Sequence, residues 1–218
     1  MGVSISLFFV RGPSVQETLN ELRLEMTADR RNLPLVQRGT FSMVNLPSGF
    51  HMIWSNTCDE RRFAKAALAK LSENGEVVLQ SLEEHVMFSH IEYWRGGAQQ
   101  WSVSHSGDVD DKDLKFEGLL PELFNTLRHE QLSRADDGDF FDIPVQMGDQ
   151  LTGYRYDRNY DWMNESPFTL LSFHHSDEQG VLEILVNCLL MSFLGSFATR
   201  SSRPRVRPGP HRPDCDRF

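Results

Sequence analysis

Cysteine is scarce in this 218-residue chain: three residues, Cys58, Cys188 and Cys215, stand far apart with no CxxC pair. An odd, scattered set argues against a disulfide framework and a zinc-holding cysteine cluster, and it fits a reducing, cytoplasmic compartment. The N-terminal residues also lack the basic and small-residue features expected of a cleavable leader. The opening Met1-Gly-Val-Ser-Ile-Ser-Leu-Phe-Phe-Val has no Lys or Arg, and reads as a first strand rather than a signal peptide. The longest apolar run, Val181 to Ala198, is interrupted by Glu183, Asn187 and Gly195-Ser196. With polar residues inside it, that run reads as a buried closing element, not a membrane anchor. No complete catalytic or metal motif is present, so neither cofactor nor metal is expected.

Positive charge is thin over most of the chain. The net charge is −9, yet residues 200–218 hold Arg200, Arg203, Arg205, Arg207, Arg212 and Arg217 against Asp214 and Asp216. That tail is +4, which leaves −13 on residues 1–199. A body so negative repels nucleic acid and anionic membrane, and draws in basic partners. Four prolines interleave with arginine in residues 204–213, and apolar residues nearly vanish. Such a segment cannot bury enough surface to offset its ordering, so 199–218 reads as an extended or disordered tail. The 39% apolar fraction and fifteen Phe suffice for a large core. Residues 1–198 therefore read as one domain, with a subdomain split near residue 75 as an alternative.

Hydrophobic periodicity sets the coarse elements. Residues 3–10 alternate and then turn apolar, as in a half-buried to buried strand. Ser14 with Glu17 makes a capping box for a helix striped by Val15, Leu19, Leu22 and Met26. Residues 27–32 read as a polar stretch. Residues 35–45 and 50–55 read as strands around Leu46-Pro47-Ser48-Gly49. Thr57 or Asp59 can cap a second helix with a Phe63, Ala67, Leu68, Leu71 stripe, ended by Asn74-Gly75. Val77–Leu82 is a further strand. Residues 86–94 and 100–105 read as a hairpin through Arg95-Gly96-Gly97-Ala98, with Trp94 and Trp101 flanking the turn, where aromatic cross-strand pairs stabilise a hairpin most. Helices follow over 121–132 and from Asp142 to Gly153, then a strand over 168–173. Strands mixed with helices, without βαβ alternation, predict an α+β fold: a mainly antiparallel sheet with flanking helices.

Several side-chain groups invite a chemical reading. His174-His175 with Asp177 is the first place to seek a metal, but neighbours on a strand point to opposite faces. His90, Glu92 and His105 can meet across the hairpin as a general acid–base group, although no nucleophile motif accompanies them. Cys58 near a helix start reads as an inert thiol beside Asp59 and Glu60. Two acidic loops, Asp108, Asp110, Asp111 with Asp113, and Asp136, Asp137 with Asp139, lack the spacing of a calcium loop. Finally, Tyr154, Tyr156, Tyr160 and Trp162 alternate with Arg and Asp over nine residues, a composition that reads equally as a protein interface or as a half-buried loop that packs on the body.

The stretch from Phe88 to Asp157 carries Tyr93-Trp94, Trp101-Ser-Val-Ser-His105, Leu120-Pro-Glu-Leu-Phe124, Phe141-Asp-Ile-Pro144 and Thr152-Gly-Tyr154. In these landmarks it resembles small acidic immunity proteins of bacterial toxin systems. The resemblance implies a cytoplasmic, noncatalytic protein that blocks a cognate toxin by binding it, and assigns no individual residue. With the charge, it makes a basic toxin the expected partner. The expected contact residues are Tyr154, Tyr156, Tyr160 and Trp162 with Asp108, Asp110, Asp111, Asp136, Asp137 and Asp139. The alternatives are an enzyme built on His90, Glu92 and His105, or a structural protein that self-associates through 181–198.

Overall fold

A computed structural model describes residues 2–34, 40–58, 63–110, 112–134 and 138–173. The readings at Asp59, Asp111, Asp136, Asp137, the His174-His175-Asp177 group, the 181–198 run and the 199–218 tail lie outside these residues. The fold is α+β. Its nine described strands are β1 (Ser4–Arg11), β2 (Leu24–Arg31), β3 (Phe41–Asn45), β4 (His51–Ser55), β5 (Glu76–Glu83), β6 (Phe88–Arg95), β7 (Ala98–Ser106), β8 (Lys115–Gly118) and β9 (Phe168–Phe173). They form one sheet in the order β2-β9-β3-β4-β1-β5-β6-β7-β8, with every pairing antiparallel. Helices α1 (Val15–Glu21) and α2 (Lys65–Ser72) pack on one face, α3 (Glu122–Ser133) and α4 (Asp142–Thr152) on the other.

β1 lies at the centre because its sequence can be buried on both sides. Leu7 and Phe9 enter the core beneath α3 and α4, while Phe8 and Val10 enter the core beneath α1 and α2. All four are fully buried, each worth about 1.5–3 kcal/mol in transfer free energy. β4 and β5 flank β1 and satisfy its backbone from both sides. The β1–β5 pairing also joins residues on either side of position 75 in one sheet. Gly75 sits where β1 leaves the sheet: a Cβ there would stand 2.3 Å from the Arg11 carbonyl oxygen, so the close approach needs glycine.

Local signals are met at several element ends. The Ser14/Glu17 capping box forms in both directions. α1 is shorter than its apolar stripe predicts: it ends before Leu22, Arg23 takes φ 56°, and Met26 joins β2. Of the polar residues 27–32, all but Asn32 enter the same edge strand. An edge strand has no two-sided core to impose alternation, so nothing in its composition marks it. α2 starts at Lys65 after Ala64, with no side-chain cap, so Thr57 does not serve. α4 runs from Asp142 to its αL terminator Gly153 (φ 71°), with Pro144 tolerated in the first turn. β8, unmarked in the sequence, is a short edge strand with all four residues exposed.

Candidate functional site

The aromatic segment 154–162 is built as a cover for the sheet. Tyr154 is 1% exposed and packs on Phe9 at 6.3 Å and on Tyr160 at 5.4 Å between ring centroids. Trp162 stacks on Tyr160 at 5.4 Å and reaches Phe168 of β9 at 6.1 Å. The rings thus belong to the core on the α3/α4 face. Tyr154 is inaccessible, and the half-buried Tyr160 and Trp162 rest on it. Tyr160 also anchors the backbone, its oxygen accepting the Arg155 N–H at 2.8 Å.

Of the four aromatics, Tyr156 lines a surface groove. This groove, about 480 Å³, is lined by Gly2, Glu84, His85, Met87, Asp139, Phe141, Asp142, Arg155, Tyr156 and Asp157. Phe141 and Met87 add apolar surface to this lining. Four carboxylates (Glu84, Asp139, Asp142, Asp157) face one guanidinium, which leaves −3 with histidine neutral. Chain-distant residues meet here: the Tyr156 hydroxyl donates to Glu84 Oε1 at 2.6 Å, and the Val3 N–H donates to Glu84 Oε2 at 2.9 Å. Burial, then the Glu84 carboxylate it bonds, push the Tyr156 phenol well above its ordinary range, so it stays a donor.

Arg155 holds the opposite wall. Its Nη2 donates to Asp142 Oδ1 at 2.7 Å, and its Nε to Asp157 Oδ1 at 2.7 Å. Burial disfavours the cation, but the bonds to Asp157 and Asp142 outweigh it, and the guanidinium is held more firmly protonated than usual. Gln146 occupies the other Asp142 oxygen at 2.5 Å. Asp139 is exposed, and its carboxylate accepts the Asp142 N–H at 3.3 Å. These carboxylates are therefore pre-positioned by the protein, with Asp139 the one most open to a ligand.

The Asp108–Asp110 loop rises beside this groove. The Gly107 N–H donates to the Met87 carbonyl at 3.0 Å, which ties the loop base to a groove residue. Asp108 and Asp110 are exposed, as are Val109 at 64% and Met87 at 44%. Met87 adopts φ 50°, the left-handed turn that swings the chain from the short 3₁₀ turn Glu84–Val86 into β6. One end of the sheet thus gathers Asp108, Asp110, Asp139 and Tyr156 of the expected contact set. Glu84 and Met87 were not readable as members, since 72 residues separate Glu84 from the tyrosine it binds.

The hairpin histidines separate. His90 and Glu92 share the α1/α2 face of β6, and, Glu92 being ionised, His90 Nε2 donates to its Oε1 at 3.1 Å. Trp94 Nε1 donates to Glu92 Oε2 at 2.7 Å. Burial pushes the Glu92 carboxyl up, but the bonds from His90 and Trp94, with the charges of His90 and Lys65, together hold it below its usual value. His105, by contrast, pairs with Ser89, the neighbour of opposite parity to His90. It therefore lies on the other face, 2% exposed, with Nδ1–H donating to the Asp113 carbonyl at 2.7 Å. The three-residue acid–base group does not form; His105 pins the acidic loop instead. The same parity corrects the expected tryptophan pair: Trp101 stands opposite Tyr93, stacked at 5.5 Å, while a register shift puts Trp94 beside Gln99.

Among the described residues, no group of three or more His, Cys, Asp or Glu is placed to hold a metal ion. No helix of the described residues is long and apolar enough to cross a membrane. Cys58 is half-buried, its N–H donating to Ser4 Oγ at 3.3 Å. No protein-family model, curated protein or solved structure matches the chain.

Proposed function

We propose that this chain is a noncatalytic, cytoplasmic immunity or antitoxin protein that neutralises a basic bacterial toxin by direct binding. The observation that supports this reading is the acid-walled groove at the β5–β6 turn, flanked by the Asp108–Asp110 loop. Its carboxylates suit lysine or arginine side chains, and the apolar surface of Phe141 and Met87 in its lining suits their aliphatic stems. The groove lies on a body of strongly negative charge, which accelerates encounter with a cationic partner.

A second reading, an enzyme, draws on the His90–Glu92 pair. The bonded carboxylate orients the imidazole as acid–base chemistry requires. The loss of His105 from that face weakens this reading, and the groove carries the first.

The test is co-purification of the tagged chain from its native host, with identification of the bound protein. A basic toxin is expected, with an association rate that falls steeply as salt rises. The triple variant D139N/Y156F/D108N should weaken capture about tenfold or more while the protein stays folded. Absence of a bound toxin, or a bound toxin indifferent to both salt and the triple variant, would overturn the reading.

A further inference from the structure

The two edges of the sheet differ in how they end. β2 carries Asp29, Arg30 and Arg31 and a register irregularity between Met26 and Arg30, devices that discourage another strand from adding there. β8 shows no register shift, although it is only four residues long, carries Lys115 and Glu117, and ends at Gly118 with φ 80°. Among the described residues nothing pairs with its outer edge, and Phe116 is 48% exposed on it.

The alternation of the backbone tells which groups that edge presents. The Leu119 N–H donates to the Gln100 carbonyl at 3.3 Å, in the same register that places Glu117 opposite Ser102 and Lys115 opposite Ser104. Glu117 and Lys115 therefore turn their N–H and C=O toward β7, and Phe116 turns both of its groups outward. Its side chain lies on the α3/α4 face, 5.1 Å from the Phe124 ring, while Lys115 and Glu117 share the opposite face.

We propose that β8 is a homodimerisation edge, pairing antiparallel with β8 of a second copy about a twofold axis at Phe116. In that register the two Phe116 residues exchange both backbone hydrogen bonds. Lys115 falls opposite Glu117 of the second copy, twice by symmetry, at the closely spaced, non-hydrogen-bonded positions. The strand is thus self-complementary in backbone, charge and apolar contact together. Within the strand no other register is: centring on Glu117 sets carboxylate against carboxylate, and centring between 116 and 117 sets Phe116 against Glu117. None of residues 115–118 lines the acidic groove, so dimerisation leaves that surface open and presents two of them.

The test is sedimentation velocity of the full chain, from about 1 µM to about 100 µM. The wild type is expected to form a concentration-dependent dimer. K115E and E117K should each raise the dissociation constant about tenfold or more, because each turns two attractive cross-strand pairs into repulsive ones. The double variant K115E/E117K restores opposite charges and should return to within about threefold of wild type. Both positions are exposed, so the far-UV circular dichroism spectrum should not change; should either reversal alter it, K115Q and E117Q take their place with a smaller loss in the same direction. A monomer throughout the range, a dimer indifferent to the single reversals, or a double variant that fails to recover would each overturn the proposal.

Discussion

The two faces of the β6–β7 hairpin carry opposite solutions to the same problem. Toward α3 and α4, Ile91, Trp101 and Val103 continue an apolar core that the 154–162 rings extend across β1 and β9. Toward α1 and α2, the register sets Ser55, Ser6, Ser81, His90 and Ser104 side by side across five strands. Ser6, Ser55 and Ser81 are wholly buried, and the Ser6 hydroxyl donates to the Thr57 carbonyl at 2.9 Å. The first face is apolar along the hairpin, whereas the second sets this row of buried polar groups beside an apolar core that includes Phe8, Val10, Leu79 and Trp94. A packed face loses stability when atoms are removed; a polar face loses it when a partner is left unpaired.

Substitutions on each face sharpen that contrast. Tyr154→Ala should have the largest effect, about 3–5 kcal/mol in urea denaturation, because the ring is buried among Phe9, Tyr160 and Trp162. Glu92→Ala should cost less, about 2–3 kcal/mol, by stranding the Trp94 and His90 donors. Glu92→Gln keeps one acceptor and should cost less again. A loss from Glu92→Ala equal to that from Tyr154→Ala would erase the distinction between the faces.

A smaller change lies at the rim of the α1/α2 face. Ser14→Ala removes half of the capping box of α1 and should cost about 1 kcal/mol, read in the same denaturation assay. His51, buried and bonded to Thr18 Oγ1 at 2.7 Å, should matter least at neutral pH. Burial pushes its imidazole down from 6.5 to about 4. The unfolded chain therefore takes up a proton below pH 6.5 that the folded chain refuses until about pH 4. The stability tied to neutral His51 is complete above pH 6.5 and drains as pH falls to about 4. An NMR titration should find the His51 ring neutral at pH 5.5; a ring already charged there would show that face to be wetter than its packing implies.

Legibility followed burial. β1, the Ser14 cap, the Gly96-Gly97 hairpin turn and α4 with its Gly153 stop were readable because each rests on local chemistry. β2 and β8 were not, since edge strands borrow their conformation from a neighbour. The candidate site was legible in its ingredients and not in its assembly. Asp108, Asp110, Asp139 and Tyr156 stood out as acidic or aromatic, whereas Glu84 fell between two expected strands and Met87 lay inside the second of them. Tyr154 shows the converse. The aromatic–charge alternation that marked it as a contact residue belongs in fact to a loop that seals the sheet.

By itself, the chain's composition and periodicity determined an acidic α+β protein with a phenylalanine-rich core and most of its helices and strands, because charge and amphipathic spacing act over a few residues. Only the tertiary structure decided which carboxylates share a groove, that His105 parts from His90, and which of the described strands lie at the two ends of the sheet. Those outcomes depend on strand register and parity, and a shift of one residue moves every side chain to the other face.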